Sequence, residues 1–335
     1  MIDKRPIDKL RESAVGMTVG DASDGAITGM ITIAERLYVI KEKAIYLLAM
    51  ADEIDPQRTR ADIPNTQQLV LNSGSNSESV RRILLTAREL FREHRLIEMI
   101  DWNAVLLSAL EILKDVIAAQ ETSDEFIKLK VAADAAIIPP QERAFRMPAI
   151  SGLEGRVKSF IQKTEHAFQG LYKTCALFYP EEMQKAGKWL DGFAAVVETR
   201  YGNQDEFTLF AKELANFGKI IRNARHCVEH PKTTQQLEVR DYQLTADRIL
   251  EEPMIRVIHN DTPIERMPLG QFMEEVTIQL HDAAELLLAY LAAKHTAALG
   301  QFQVAVGEIP ENQRGNDGVR FGYLINIGGT LQRLG

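Results

Sequence analysis

The sequence predicts a mainly α-helical protein of two domains: an N-terminal helical domain over 1–145, then an antiparallel four-helix bundle over 146–335 with short β-hairpin insertions. Three observations carry that expectation. Apolar residues recur at three- and four-residue steps through long stretches, the spacing of helices that bury one stripe. Helix-breaking pairs and prolines, such as Asp55-Pro56, Pro180 and Pro231, cut those stretches into helical lengths. At 335 residues the chain can bury two separate cores.

Taken in order, Ile31, Ala34, Leu37, Ala44, Leu47 and Met50 follow a helical period over 27–54, and Asp55-Pro56 stops it. Residues 55–74 read as a polar loop. Helices resume at Ser75, an N-cap whose capping box Glu78 closes, through Ile97, then over 102–119 and 123–136. Pro139, Pro140 and Pro148 mark 137–152 as the linker between domains. Beyond it, Val157, Phe160, Thr164, Phe168, Leu171, Cys175 and Phe178 form one stripe, and Met183, Ala186, Leu190, Phe193 and Val197 the next. A third helix is expected over 204–229. A fourth, over 269–295, turns Phe272, Val276, Leu280, Ala283, Leu287 and Tyr290 inward. Between these two helices, residues 236–268 alternate apolar and polar positions at Leu237/Val239 and Ile255/Val257, with Asn260-Asp261 as a hairpin turn. Residues 301–306 and 320–327 read as two more short strands.

A net charge of -8 argues against a surface that grips nucleic acid everywhere, while Lys219, Arg222, Arg225 and Lys232 make a local basic patch. Cys175 and Cys227 are too few for a disulfide framework and suit a reducing compartment. Asp3, Lys4, Arg5, Asp8 and Arg11 precede any apolar run, and no stretch approaches the roughly 20 apolar residues of a membrane span. The expectation is a soluble, cytoplasmic protein with no membrane partner. Neither a P-loop nor a dinucleotide motif occurs, so no cofactor is expected. Trp102 and Trp189 read as core anchors.

The third helix carries the candidate site. Phe207, Phe210, Leu214, Phe217, Ile221, Ala224 and Val228 form its buried stripe, which directs Arg222, Asn223, His226, Glu229 and His230 outward and leaves Arg225 at the edge. Cleaving RNA without a metal needs a base at the 2′-hydroxyl, an acid at the leaving oxygen and a cation on the phosphoryl group. His226 or His230 can shuttle protons near neutral pH, and Arg222 or Arg225 can grip a phosphate in two-point fashion.

The run Arg225-His226-Cys227-Val228-Glu229-His230 resembles the signature of HEPN domains, an Arg, a polar residue, three residues and a His, with His226 in the polar slot. In that family the motif lies late in a core helix of a four-helix bundle. The resemblance covers roughly 152–296 and implies an HEPN-like bundle there. It implies a metal-independent endoribonuclease acting on RNA, commonly a homodimer whose two motifs meet in one cleft, and often part of a toxin-antitoxin or antiphage system. Arg225 and His230 carry over as the catalytic pair and His226 as the polar helper. Arg222, Asn223, Glu229, Lys219 and Lys232 stand as supporting or phosphate-binding groups. Many members place Asn directly after the motif Arg, and here that pair is Arg222-Asn223, farther from His230 than the family pattern.

Two other classes stand beside it. His226-Cys227-Val228-Glu229-His230 spells H-x-x-E-H, in which two histidines share a zinc and Glu229 activates its water, with Glu274, Glu275 or Glu285 as third ligand. Alternatively, Arg225, His226 and His230 offset the dipole at the helix end, and the protein is a non-catalytic interaction scaffold. The residues of the N-terminal domain leave three roles open on any of these readings: sensing a trigger, holding the bundle inactive or binding a protein partner.

Overall fold

The computed structural model describes residues 4–13, 16–97, 100–137, 144–187, 189–297, 304–327 and 329–334. Half of the chain is helical and a fifth is strand, with nine α-helices and four small sheets among the described residues. The protein is therefore a mixed α and β molecule, which corrects the mainly all-α expectation. It divides into two compact units, 1–107 with 295–335, and 108–294. The expected boundary after residue 145 falls inside the second unit, and Pro139 and Pro140 of the expected linker lie outside the described residues. Among the described residues no helix is long and apolar enough to cross a membrane.

The first unit starts with α1 (Pro6–Arg11), β1 (Ile27–Ile33), β2 (Arg36–Lys41), β3 (Ile45–Ala49), α2 (Ala51–Ile54) and β4 (Thr66–Leu71). The four strands pair antiparallel in sequence order, where a single helix and a loop were expected. Ile27, Thr28, Ile31, Thr32, Ile33, Tyr38, Val39, Ile40, Ile45 and Tyr46 supply the β-branched and aromatic density that suits a pleated surface. Tyr38, Val39, Ile40 and Lys41 are buried in succession, so β2 shows no two-residue alternation. The hairpin between β1 and β2 turns on Ala34 and Glu35, both at positive φ (49° and 62°), a geometry usually announced by Asn-Gly. β4 is mostly exposed and presents no apolar stripe to read. Ser75 does not cap a helix: its backbone N–H donates to the Lys41 carbonyl at 2.9 Å. A π-helical segment, Val80–Leu85, then runs directly into α3 (Thr86–Leu90).

The second unit takes most of α4 (Trp102–Ala135) together with α5 (Leu153–Phe178), α6 (Pro180–Ala186), α7 (Leu190–Tyr201) and α8 (Glu206–Glu229). Next come β5 (Gln236–Arg240), β6 (Gln243–Leu244), β7 (Leu250–Glu251), β8 (Met254–Ile258), β9 (Ile264–Pro268) and α9 (Leu269–Lys294). α4 is one helix where two were expected, because the Thr122 hydroxyl bonds back to the Ala118 carbonyl (2.8 Å) and Ser123 is buried, so neither caps a new start. The second expected helix is instead two, α6 and α7. α5 packs against α7, α8 and α9. Phe207 is fully buried among Phe193 (ring centres 5.7 Å apart), Tyr201 (6.0 Å) and Tyr290 (5.2 Å). Asp205 caps α8 by accepting from the Phe207 N–H (3.0 Å) and receives Lys294 of α9 (2.7 Å). The hairpin expected around Asn260-Asp261 is present between β8 and β9, with β5 completing a three-stranded sheet.

The chain then returns to the first unit as β10 (Val304–Glu308), β11 (Phe321–Ile327) and β12 (Thr330–Arg333), an antiparallel sheet. Residues 301–303 of the expected strand over 301–306 lie outside the described residues, and β12 is additional. β11 closes over α3: the Tyr323 hydroxyl donates to the Leu90 carbonyl (2.6 Å), and buried Glu89 accepts from Arg92 and from Arg333 (3.0 Å).

Candidate functional site

α8 forms because its apolar residues share one side, but two elements cover it rather than one. The α5–α7–α9 side buries Phe207, Leu214 and Ile221. The strands after α8 bury a second flank, including Asn223 and Cys227. Asn223, expected on the exposed face, donates through Nδ2 to the Thr262 hydroxyl at 3.1 Å. Thr262 and Asp261 in turn donate backbone N–H groups to Nδ1 of buried His259 (3.3 and 3.2 Å), whose other nitrogen lies 3.2 Å from the Gln235 amide. This chain of polar contacts anchors the end of α8 to the β8–β9 turn. Asn223 is thereby buried and engaged by Thr262, where an exposed phosphate-binding group was expected.

Arg225 is committed in the same way. Its Nη1 donates to Glu165 of α5 at 2.8 Å and its Nε to Glu229 at 2.9 Å. Glu165 is only 1% exposed and also accepts from Gln169 (2.7 Å), so it depends on Arg225 for its counter-charge. The guanidinium is therefore a clamp between two helices, and Glu229 is its second jaw.

Arg222, one turn earlier, is placed differently. Its guanidinium lies 4.8 Å from the centre of the Trp189 ring, with Asp191 no closer than 3.8 Å. Trp189, expected as a core anchor, is 41% exposed. With Tyr172, Phe168, Leu190 and Lys219 the pair lines a shallow pocket. Gly218 permits this close approach of α8 to α7, since a Cβ there would fall 2.9 Å from Leu190 Cδ1.

His226 and His230 project from the last turn, both exposed, with ring centres 6.4 Å apart. α8 ends at Glu229, and the His230 N–H still donates to the His226 carbonyl (2.8 Å). Partial burial lowers the pKa of His226 below its ordinary 6.5, and the charges of Arg222, His230 and Arg225 push it the same way. Lys232 is exposed beyond Pro231. Burial pushes the Cys227 thiol up, and the fully buried Cys175 well above the usual range, which disfavours the thiolate of each.

The expected site is thus gathered in part. His226 and His230 are exposed and share one side of α8 with the half-buried Arg222 and Lys219, whereas Arg225, Glu229 and Asn223 are engaged in holding the helix. No group of three or more His, Cys, Asp or Glu side chains among the described residues is arranged to hold a metal ion, so the H-x-x-E-H spelling has no ligand set around it. Sequence reasoning missed Glu165, Trp189 and Thr262. Only Trp189 carried a signal, as an aromatic within the charged stretch Lys185 to Asp191 rather than inside an apolar stripe. No family model, no curated protein and no solved structure matches the chain.

Proposed function

We propose that the end of α8 cleaves RNA without a metal ion, passing protons through His226 and His230 while Arg222 holds the phosphate. The observation that carries this reading is the pair of exposed imidazoles 6.4 Å apart beside a guanidinium that no carboxylate grips closely. His226, kept neutral at pH 7, takes the proton of the 2′-hydroxyl, whose oxygen attacks the phosphorus. His230 gives its proton to the departing 5′-oxygen, and Arg222 with Lys219 balances the charge of the crowded intermediate. The products are a 2′,3′-cyclic phosphate and a free 5′-hydroxyl. The exposed ring of Trp189 offers a stacking surface to a neighbouring base, a contact worth roughly 1–3 kcal/mol in single-strand recognition. This reading keeps the ribonuclease chemistry implied by the HEPN resemblance and moves the phosphate role from Arg225 to Arg222. A homodimer would set two such ends in one cleft, and sedimentation of the wild-type chain tests whether a dimer forms.

The test is cleavage of single-stranded RNA in EDTA by the full chain. Wild type yields cyclic phosphate ends, and His226→Ala and His230→Ala each slow it roughly 10²- to 10⁴-fold while keeping the wild-type unfolding midpoint. Intact RNA with wild type, or equal rates in the variants, overturns the assignment. A second reading has its own observation: the Arg225 clamp on Glu165 and Glu229 favours a scaffold whose helix end is merely stapled. On that reading RNA stays whole and only stability responds to substitution.

A further inference from the structure

The first unit contains a polar cavity of about 390 Å³, within the range of small-molecule pockets. Thr28, Gly29 and Ile40 of β1 and β2 line one side, and Arg81, Leu85 and Arg88, four and three residues apart, line the other. Gly74 makes the third wall possible. A Cβ there would fall 2.0 Å from the Lys41 carbonyl oxygen, and its lack lets Ser75 and Asn76 donate backbone N–H groups to the Lys41 and Glu42 carbonyls, both at 2.9 Å. Asn316 and Asp317, from the turn before β11, complete the lining.

The arginines of this cavity are less closely paired than four others of the same unit. Arg5, Arg58, Arg60 and Arg333 each hold a carboxylate at 3.0 Å or closer. Arg81 has no carboxylate within 4.0 Å among the described residues, and Arg88 reaches only Asp317, at 3.9 Å. Two glycines leave room for these side chains: a Cβ at Gly29 would come 2.7 Å from Arg88 Nη1, and one at Gly318 would come 3.2 Å from Arg81 Cδ. Arg81 and Leu85 belong to the π-helical segment, a conformation that recurs at functional sites. Two lightly paired guanidiniums are suited to a dianionic phosphate, which each can meet with two donors. Glu42, Asn76 and Asp317 add acceptors for hydroxyl groups.

We propose that this cavity binds a small hydroxyl-bearing phosphomonoester, its phosphate held by Arg81 and Arg88 and its hydroxyls by Glu42, Asn76 and Asp317. The test is calorimetric titration of the full chain with ribose 5-phosphate, inorganic phosphate and ribose. Ribose 5-phosphate binds tightest, inorganic phosphate binds more weakly, and ribose does not bind. Arg81→Gln and Arg88→Gln each weaken ribose 5-phosphate on the order of tenfold or more, as expected for lost charge-assisted hydrogen bonds, with unchanged unfolding midpoints. Gly29→Ala, which displaces the Arg88 guanidinium, weakens it as well. Absence of ribose 5-phosphate binding, equal binding by the folded arginine variants, or binding of ribose as tight as that of ribose 5-phosphate overturns the proposal. Equal affinity for inorganic phosphate overturns the hydroxyl contacts.

Discussion

At the end of α8 and in the N-terminal cavity, arginines of the same chemistry meet opposite surroundings. Arg225 is held by two carboxylates, one of them 1% exposed, and its removal would strand a buried charge. Arg81 and Arg88 line a cavity with a single carboxylate contact of 3.9 Å between them. A guanidinium closely paired with carboxylates of its own protein holds helices together, and one without such close pairing has donors to offer a ligand. Arg222 belongs to the second kind although it lies three residues from Arg225, because its neighbours are an indole face and a distant Asp191.

The sharpest test of this contrast is stability. Arg225→Ala should cost about 3 kcal/mol, the low end for breaking a buried pair, since Gln169 continues to donate to Glu165. Urea unfolding measures it, and the contrast predicts that Arg81→Gln shifts the same curve by less than about 0.5 kcal/mol. Equal losses in the two variants would erase the distinction. Asn223→Ala comes next, at about 1 kcal/mol, because it removes one hydrogen bond and leaves the Thr262 hydroxyl buried with its His259 contact alone. The smallest effect is in pH dependence. His226 has a folded-state pKa below 6.5, so as pH falls the unfolded chain takes up its proton first, and any stability from this group is complete above pH 6.5 and declines below it. The acidic limb of RNA cleavage should therefore lie below pH 6.5, and Arg222→Gln should move it upward by removing a positive neighbour. An acidic limb that stays fixed in that variant would separate the two side chains.

The second unit was more legible than the first for a physical reason. α5, α8 and α9 each bury one side against helices, so their three- and four-residue periods are visible, and the Asn260-Asp261 turn marks its hairpin. In the first unit β2 is buried on successive residues, β4 is mostly exposed, and the Ala34-Glu35 turn uses residues that seldom adopt positive φ. Each of those features hides a strand from a reading based on apolar spacing. At the site, the residues that point outward from the stripe were legible, namely Arg222, His226 and His230. The commitments of Arg225 and Asn223 were not, because their partners Glu165 and Thr262 lie 60 and 39 residues away along the chain.

The bond from Tyr323 to the Leu90 carbonyl spans 233 residues. During synthesis the whole of 108–294 leaves the ribosome before β11 can cover α3, and it can fold while that face waits. Joining ends so far apart carries an entropic cost that grows only slowly with length, but it delays the contact, so the burial of Glu89, Leu90 and Phe91 is completed late.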